Sequence, residues 1–452
     1  MKIIIVGCGK VGLTLAERLG SEQHDLVLID SSLKKIQEIP DDLDAIKLWG
    51  NGASISTLLE GGIKDTDLLI AVTESDELNL LCCVIAKKAG DCNTIARVRN
   101  PIYNNEIDFI KERLGISMII NPELTAAVEI SRLLRFPSAI NIDTFSKGRV
   151  ELLRFRLSSE FALDGISISS LLEKVKCDIL VCAVERGETI SIPDGDFILQ
   201  DNDYITILGS PRNASEFFRK IGFETHQVHN AMIVGGGTIA YYLAKILIAM
   251  KIKVRIVEQN VERCEQLSEL LPSATIINGD GTNRDLLMEE GLPCTESFIT
   301  LTNLDEENIL LSLFAKEHTK GKLITKVTKI SFDHIIEKLD IGSVIYPKYI
   351  MADYIVSYVR AMQNTIGCNV ETLYHILDNQ AEALEFSIRE ESPVVNVPLM
   401  EMHLKKNLLI GGITRHGKFS IPRGHDTIQI GDTVIVVTTR KGLHDIRDIL
   451  EK

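Results

Sequence analysis

KIIIVGCGKVGLTLAERLGSEQHDLVLID, residues Lys2 to Asp30, decides how the rest of the chain is read. Ile3 to Val6 form an apolar run with the composition of a buried strand. Gly7, Gly9 and Gly12 follow, then a helix-like segment from Lys10 to Leu19, then a second apolar run, Leu26 to Ile29, that ends at Asp30. In this order each glycine has its own physical use. The first permits a sharp turn off the strand, the second lets a pyrophosphate approach the backbone, and the third lets helix and strand pack closely. The helix then presents free N–H groups and the positive end of its dipole to the phosphates. Asp30, eighteen positions beyond Gly12, stands where a carboxylate accepts hydrogen bonds from a ribose diol. Strand, glycines, helix, strand and terminal acid together make a dinucleotide-binding fingerprint, which GxGxxG alone would not. The competing reading is a tight turn in a doubly wound fold that binds nothing.

The pattern occurs twice. Ala231 to Val234 lead into Gly235, Gly236 and Gly237, with Ala240 as the third small residue, and Val254 to Val257 end at Glu258. The offsets 235 − 7 and 258 − 30 are both 228. WGNGAS (Trp49 to Ser54) answers NGDGTN (Asn278 to Asn283), and TESDELN (Thr73 to Asn79) answers TNLDEEN (Thr302 to Asn308), at an offset of 229. Pro193-Asp194-Gly195 and Pro422-Arg423-Gly424 are again 229 apart. The chain is a tandem duplication, and its second half is not a separate substrate domain.

Composition bounds the function. The 452 residues leave room for three or four domains of roughly 100–200 residues each. A hydrophobic content of 45% is ordinary for a globular chain, and no apolar run approaches the ~18 residues of a membrane span. The first strand begins at once, so no signal peptide is expected and a soluble cytoplasmic protein is. The nine cysteines are scattered without a CxxC pair, which predicts buried free thiols and no metal site. A net charge of −14 argues against nucleic acid as a partner. It suits a partner with a basic face, such as the Lys/Arg-rich cytoplasmic loops of a membrane protein.

Along the first unit, short β-branched runs alternate with amphipathic stretches: Lys2–Val6, Leu26–Ile29, Ala45–Leu48, Leu68–Val72, Thr94–Val98 and Ser117–Ile120 read as strands. This predicts an α/β fold, a doubly wound parallel sheet with helices on both faces. Asn121-Pro122-Glu123 is a helix start, with an N-cap, a first-turn proline and an early acid. Leu124, Ala127, Val128, Leu133 and Leu134 then share one apolar face, which has to pack on its own domain or on a neighbour; we read it, and its counterpart after Tyr346-Pro347, as the contact between copies. Texture changes at Phe136-Pro137-Ser138, and strand-like alternation with turns at Asp164-Gly165, Arg186-Gly187 and Asp194-Gly195 predicts a small α+β domain. The expected division is therefore 1–136 and 230–366 for two Rossmann-like units, 137–223 and 367–452 for two small domains, with a connector from Glu224 to His229. His403, His416, His425 and His444 lie in the last domain without metal-ligand or triad spacing.

This arrangement resembles the TrkA-type regulatory subunits of Trk potassium uptake systems, whose units are called RCK or KTN domains and are followed by TrkA-C domains. The resemblance covers essentially the whole chain. It rests on GCGKVG with Asp30, VTESDELN, ARVRNPIY (Ala96 to Tyr103), INPE (Ile120 to Glu123) and the duplication. It implies a non-enzymatic cytosolic ring, a homodimer or tetramer, that binds NAD(H), ATP or ADP. It also implies attachment at the inner face of the membrane to a Trk-type potassium channel subunit, which the ring gates.

The site residues follow position by position. Gly7, Cys8, Gly9, Lys10, Val11 and Gly12 form the phosphate turn; Lys10 either adds charge to a terminal phosphate or is a solvated helix lysine. Asp30 favours an unmodified ribose over a 2′-phosphate. Asn51 either meets an adenine edge or caps the helix after Ala53. Thr73 and Glu74 follow the fourth strand, beside the pyrophosphate in the usual strand order, while Thr73 or Ser75 also suits a cap for the helix near Asp76. Arg97 aligns with a nucleotide-contacting arginine of the family. Gly235, Gly236, Gly237, Thr238, Ile239, Glu258, Asp280 and Thr302 repeat these positions in the second unit. There Ala240 replaces Gly12, Thr238 replaces Lys10 and Lys326 replaces Arg97. The lost lysine weakens the case for a triphosphate, so the sites are expected to differ, the second preferring NAD(H) or a less charged nucleotide. Two alternatives remain: a nicotinamide-dependent oxidoreductase, for which no substrate domain or acid–base residue is evident, and a free-standing nucleotide sensor.

Overall fold

The computed structural model describes residues 1–451 apart from 105, 136–138, 146–148, 158–162, 188, 223–227, 329–335, 337–338, 340, 365–369, 377–380, 440–442 and 444. The boundaries expected at 136/137, 223 and 366/367, residues 224–227 of the connector, and His444 lie outside the described residues.

The first unit is a six-stranded sheet of β1 (Lys2–Val6), β2 (Asp25–Asp30), β3 (Ala45–Trp49), β4 (Leu68–Ala71), β5 (Asn93–Arg97) and β6 (Met118–Ile120). The order is β3-β2-β1-β4-β5-β6 and the pairing is parallel. Successive side chains of a strand point to opposite faces, yet Ile3, Ile4 and Ile5 are all fully buried. The sheet is thus covered on both sides, as its continuous apolar runs require. Because β4 lies directly beside β1, the ends of the two strands open together where the strand order reverses.

The small domain has β7 (Ala139–Phe145), β8 (Val150–Arg156), β9 (Ile179–Arg186), β10 (Thr189–Ser191) and β11 (Tyr204–Gly209), in the order β10-β9-β11-β8-β7 with antiparallel pairing. The second unit repeats the parallel sheet with β12 (Asn230–Val234), β13 (Lys253–Glu258), β14 (Thr275–Asn278), β15 (Ser297–Thr300), β16 (Lys322–Lys326) and β17 (Ser343–Ile345). Then β18 (Val370–Ile376), β19 (Ala381–Ser387), β20 (Leu408–Arg415), β21 (Lys418–Ser420) and β22 (Thr433–Thr438) form the second small sheet. Its bidentate Arg415–Asp432 pair repeats Arg186–Asp203 of the first, each arginine also donating to a nearby carbonyl. Phe145, Leu152 and Leu208 of one small domain pack with Ala383, Ile435 and Val437 of the other.

Six helices position the sites: α1 (Lys10–Ser21), α2 (Asp76–Gly90), α3 (Pro122–Arg135), α4 (Thr238–Ala249), α5 (Asp305–His318) and α6 (Pro347–Asn364). The helix start at Asn121 forms as its residues dictate, with Asn121 Oδ1 accepting from Leu124 N at 2.9 Å. The partner of its apolar face differs from the expectation. Ala127, Ile130, Leu133 and Leu134 of α3 join one core with Tyr242, Leu243 and Leu247 of α4 in the second unit. Reciprocally, Met351, Ile355, Val356 and Val359 of α6 are buried against Leu15 and Leu19 of α1 in the first. The two units exchange helices, so these faces are consumed inside one chain and are not the contact between copies. Full burial of each of the larger side chains stabilises by about 1.5–3 kcal/mol, and three of them on α3 with four on α6 commit the units to each other. Bidentate Arg360–Glu22 hydrogen bonds and an Arg18–Asp353 ion pair flank the α1–α6 contact.

All eight described cysteines are free. Cys294 departs from the expected burial: it ends a one-turn helix on the surface and is exposed.

Candidate nucleotide-binding sites

Each glycine turn is shaped by its strand. Gly7 has φ +102° and donates its N–H to Ile29 O at 2.8 Å; Gly235 has φ +99° and donates to Val257 O at 2.9 Å. A Cβ on Gly7 would stand 2.9 Å from Thr73 N, and one on Gly12 would stand 1.9 Å from Gly7 O. Both glycines are therefore demanded by the fold. Gly9 and Gly237 are different, because a Cβ on either would meet no atom within 4 Å. These two are the N-caps of α1 and α4, and neither helix has a side-chain cap or an acid in its first turn. The orphan N–H groups of both helices face open space, which is the arrangement that receives an anion. Lys10 is exposed, Val11, Thr238 and Ile239 are half-buried, and the methyl of Ala240 is fully buried where the first unit has Gly12.

The terminal acids brace the turns. Asp30 accepts from Cys8 N and Ser32 N, both at 2.8 Å, and Glu258 accepts from Gly236 N at 2.7 Å and Asn260 N at 2.8 Å. An ionised carboxylate has about four acceptor positions, so capacity for ribose hydroxyls is left over. Burial, then the Asp30 charge, pushes the Cys8 thiol up to about 12, so it stays protonated. Asn51 Oδ1 accepts from Ala53 N at 2.9 Å in a local turn, while Ser54 is the N-cap of the helix that follows. Asp280 does the same with Thr282 N at 2.8 Å, a bond that holds its carboxyl below the usual range.

Thr73 donates from both N and Oγ1 to Asn79 Oδ1, at 2.8 and 2.7 Å, and Asn79 Nδ2 donates to Thr73 O and Arg97 O. In the second unit Thr302 N donates to Asn308 Oδ1 at 2.9 Å and Asn308 Nδ2 reaches Thr302 O and Lys326 O, while Thr302 Oγ1 turns to Leu304 O at 3.2 Å. Ser75, not Thr73, caps α2, accepting from Leu78 N at 3.2 Å. Glu74 is exposed, 3.5 Å from Lys35. Arg97 donates to Thr73 O at 2.6 Å and is buried. Asn79 and Asn308, both fully buried, tie the fourth and fifth strand ends together and went unassigned from sequence. Their signal was present, since TESDELN and TNLDEEN both end in asparagine. Trp49, the chain's one tryptophan, also went unassigned. It is 65% exposed, paired in register with Asp30, and donates from Nε1 to Ser31 O at 3.0 Å.

Comparison with known proteins agrees with this architecture. Residues 3–122 and 231–347 match the TrkA-N domain, and residues 152–222 and 383–451 match the TrkA-C domain. The Trk system potassium uptake protein TrkA homolog 1 of Methanosarcina mazei is 31% identical over 454 residues, 99% of each chain. The Trk system potassium uptake protein TrkA of Haemophilus influenzae is 29% identical over 456 residues, 100% of this chain and 99% of its own. In fold, the GsuK RCK domain superposes with a TM-score of 0.62 at 15% identity, over 97% of this chain and 92% of that one. The GsuK channel bound to NAD gives 0.63 at 15% identity, over 97% and 77%. The chain belongs to the TrkA family, as two consecutive pairs of TrkA-N and TrkA-C domains.

Proposed function

We propose that this chain is the nucleotide-binding regulatory subunit of a Trk-type potassium uptake system, held at the cytoplasmic face of the membrane by its channel partner. The observation that carries the reading is the pair of open, uncapped glycine turns braced by Asp30 and Glu258 and joined through the exchanged helices α3 and α6. A ligand on either turn sits at the N-terminus of a helix, α1 or α4, against which the other unit's helix packs. Binding there bears on the angle between the units. A nucleotide shifts that angle only by its difference in affinity for the two arrangements. NAD(H), ATP and ADP are the ligands in view, as solved GsuK structures are described as bound to NAD and to ADP. No helix among the described residues is long and apolar enough to cross a membrane, so attachment runs through the partner.

With α3 and α6 consumed internally, the surface for contacts between copies is the outer face of α2 and α5. Leu81 and Leu310 occupy equivalent positions there and are 48% and 66% exposed. Leu81→Glu with Leu310→Glu should reduce the assembly size in light scattering.

The test of function is potassium flux through a Trk-type channel in vesicles carrying this protein, under ATP, ADP, NADH and NAD in turn. Flux should depend on the nucleotide and lose that dependence when both turns are closed, in Gly9→Asp with Gly237→Asp. Flux indifferent to all four, with the protein bound, would overturn the proposal.

A further inference from the structure

Three strand ends stand in line at the first site. The sheet order β3-β2-β1 puts the glycine turn after β1, Asp30 at the end of β2 and Trp49 at the end of β3, with Trp49 opposite Asp30 in parallel register. A nucleotide has the same order of parts: phosphates, ribose, base. With phosphates at the N-terminus of α1 and the ribose diol on Asp30, the base hangs from the ribose carbon next to the diol. It falls on the β3 side.

Trp49 is the side chain that stands there. Its indole is 65% exposed yet tethered, since Nε1 donates at 3.0 Å to the carbonyl of Ser31, the residue directly after the ribose acid. The backbone is tied at the same point, Gly50 N donating to Asp30 O at 3.0 Å. The loop that follows is pressed onto the end of β1, where a Cβ on Gly52 would stand 2.1 Å from Val6 Cγ1. A ring held in this way offers a base a flat partner with little ordering left to do on binding. Ile46, the other exposed large apolar side chain of β3, is three residues back and points to the opposite face. Trp49 is therefore not part of an apolar stripe along the strand.

The second unit has no ring at this position. Asn278 ends β14 in register with Glu258. Its Nδ2 donates to Glu258 O and Gln259 O, both at 3.1 Å, so the side chain braces its own turn. The duplication kept the glycine turn and the terminal acid in both halves and the aromatic ring in one.

We infer that Trp49 is the base platform of the first site, so that this site selects nucleotides carrying a purine base by stacking on the indole. The second site holds its ligand by ribose and phosphate contacts without such a ring. This rests on the nucleotide reading above. Stacking of this kind adds to affinity without reading a base edge. It therefore favours ATP, ADP and NAD(H) alike over a ligand that has phosphates and no base.

The test uses the full chain with Gly237→Asp, which closes the second turn, and compares ADP with pyrophosphate by calorimetry. Trp49→Ala should lower the preference for ADP over pyrophosphate by roughly 5- to 100-fold. Trp49→Phe, which keeps a ring and loses the Nε1 bond, should retain most of that preference. ADP should also change Trp49 emission where pyrophosphate does not. In the Gly9→Asp chain, which leaves the second site open, Trp49→Ala should not change ADP affinity. A merely structural role for Trp49 would weaken ADP and pyrophosphate together and would not separate Phe from Ala. That result, or a Trp49→Ala chain that binds ADP as tightly as its parent, overturns the platform while leaving nucleotide binding intact. No heat with ADP or NADH in the unaltered chain would sink the nucleotide reading and the platform with it.

Discussion

Replacing Gly9 with Asp should close the first site without harming the fold around it. Gly9 has φ −75° and ψ −172°, extended backbone open to any residue, and a Cβ there meets nothing within 4 Å. An N-cap Asp is a few tenths of a kcal/mol better than Gly. Its charge at the positive end of α1 adds about 0.3–1 kcal/mol. The melting temperature should therefore hold or rise by about 1–3 °C. The same carboxylate occupies the space a phosphate would take and repels it. Losing two charge-assisted backbone hydrogen bonds costs about 3–6 kcal/mol, a drop in affinity of roughly 100-fold or more. Gly7→Ala is the contrast: with φ +102° and Thr73 N 2.9 Å from the new Cβ, it should lower the melting temperature. Thermal unfolding and ADP titration of Trp49 emission measure both quantities. A Gly9→Asp chain that melts like Gly7→Ala, or that binds ADP as the wild type does, would refute the division of roles between these glycines.

Two further outcomes are expected. Ile355→Ala, in the fully buried contact of α6 with α1, should cost about 2–5 kcal/mol in urea unfolding, and a change under 1 kcal/mol would mean that the units are not held by exchanged helices. His24 is buried beside that contact, its Nε2 3.8 Å from Glu22, and burial lowers its imidazole below the ordinary value, aided by the N-terminal ammonium. Its folded pKa lies below the unfolded one, so its contribution is intact above about pH 6.5 and is lost as pH falls below that. The urea midpoint should drop between pH 7.5 and 5.5 by more in the wild type than in His24→Gln, and parallel pH profiles would reject the assignment.

Much of this was legible in the residues. The glycine turns, the acids at Asp30 and Glu258 and the strand–helix alternation are local features, and local sequence carries them because each depends on a few neighbouring backbone positions. The buried asparagines were harder. Asn79 and Asn308 bond to Thr73 and Thr302 six residues back, and also to strand ends eighteen residues ahead, and those strand ends come near only when β4 and β5, or β15 and β16, pair. Asn51 illustrates a competition that sequence left open, and its side chain is engaged in a local turn.

The sequence by itself determined that the chain is duplicated, that each half opens with a glycine-rich turn between strand and helix, and that the segments after Asn121 and Tyr346 are helices with an apolar face. It did not determine what those faces meet. An amphipathic stripe states that burial is required, and hydrophobic attraction has no direction, so a copy of the chain and the other half of the same chain satisfy it equally. Only the tertiary structure decided for the latter, placing α3 on α4 and α6 on α1.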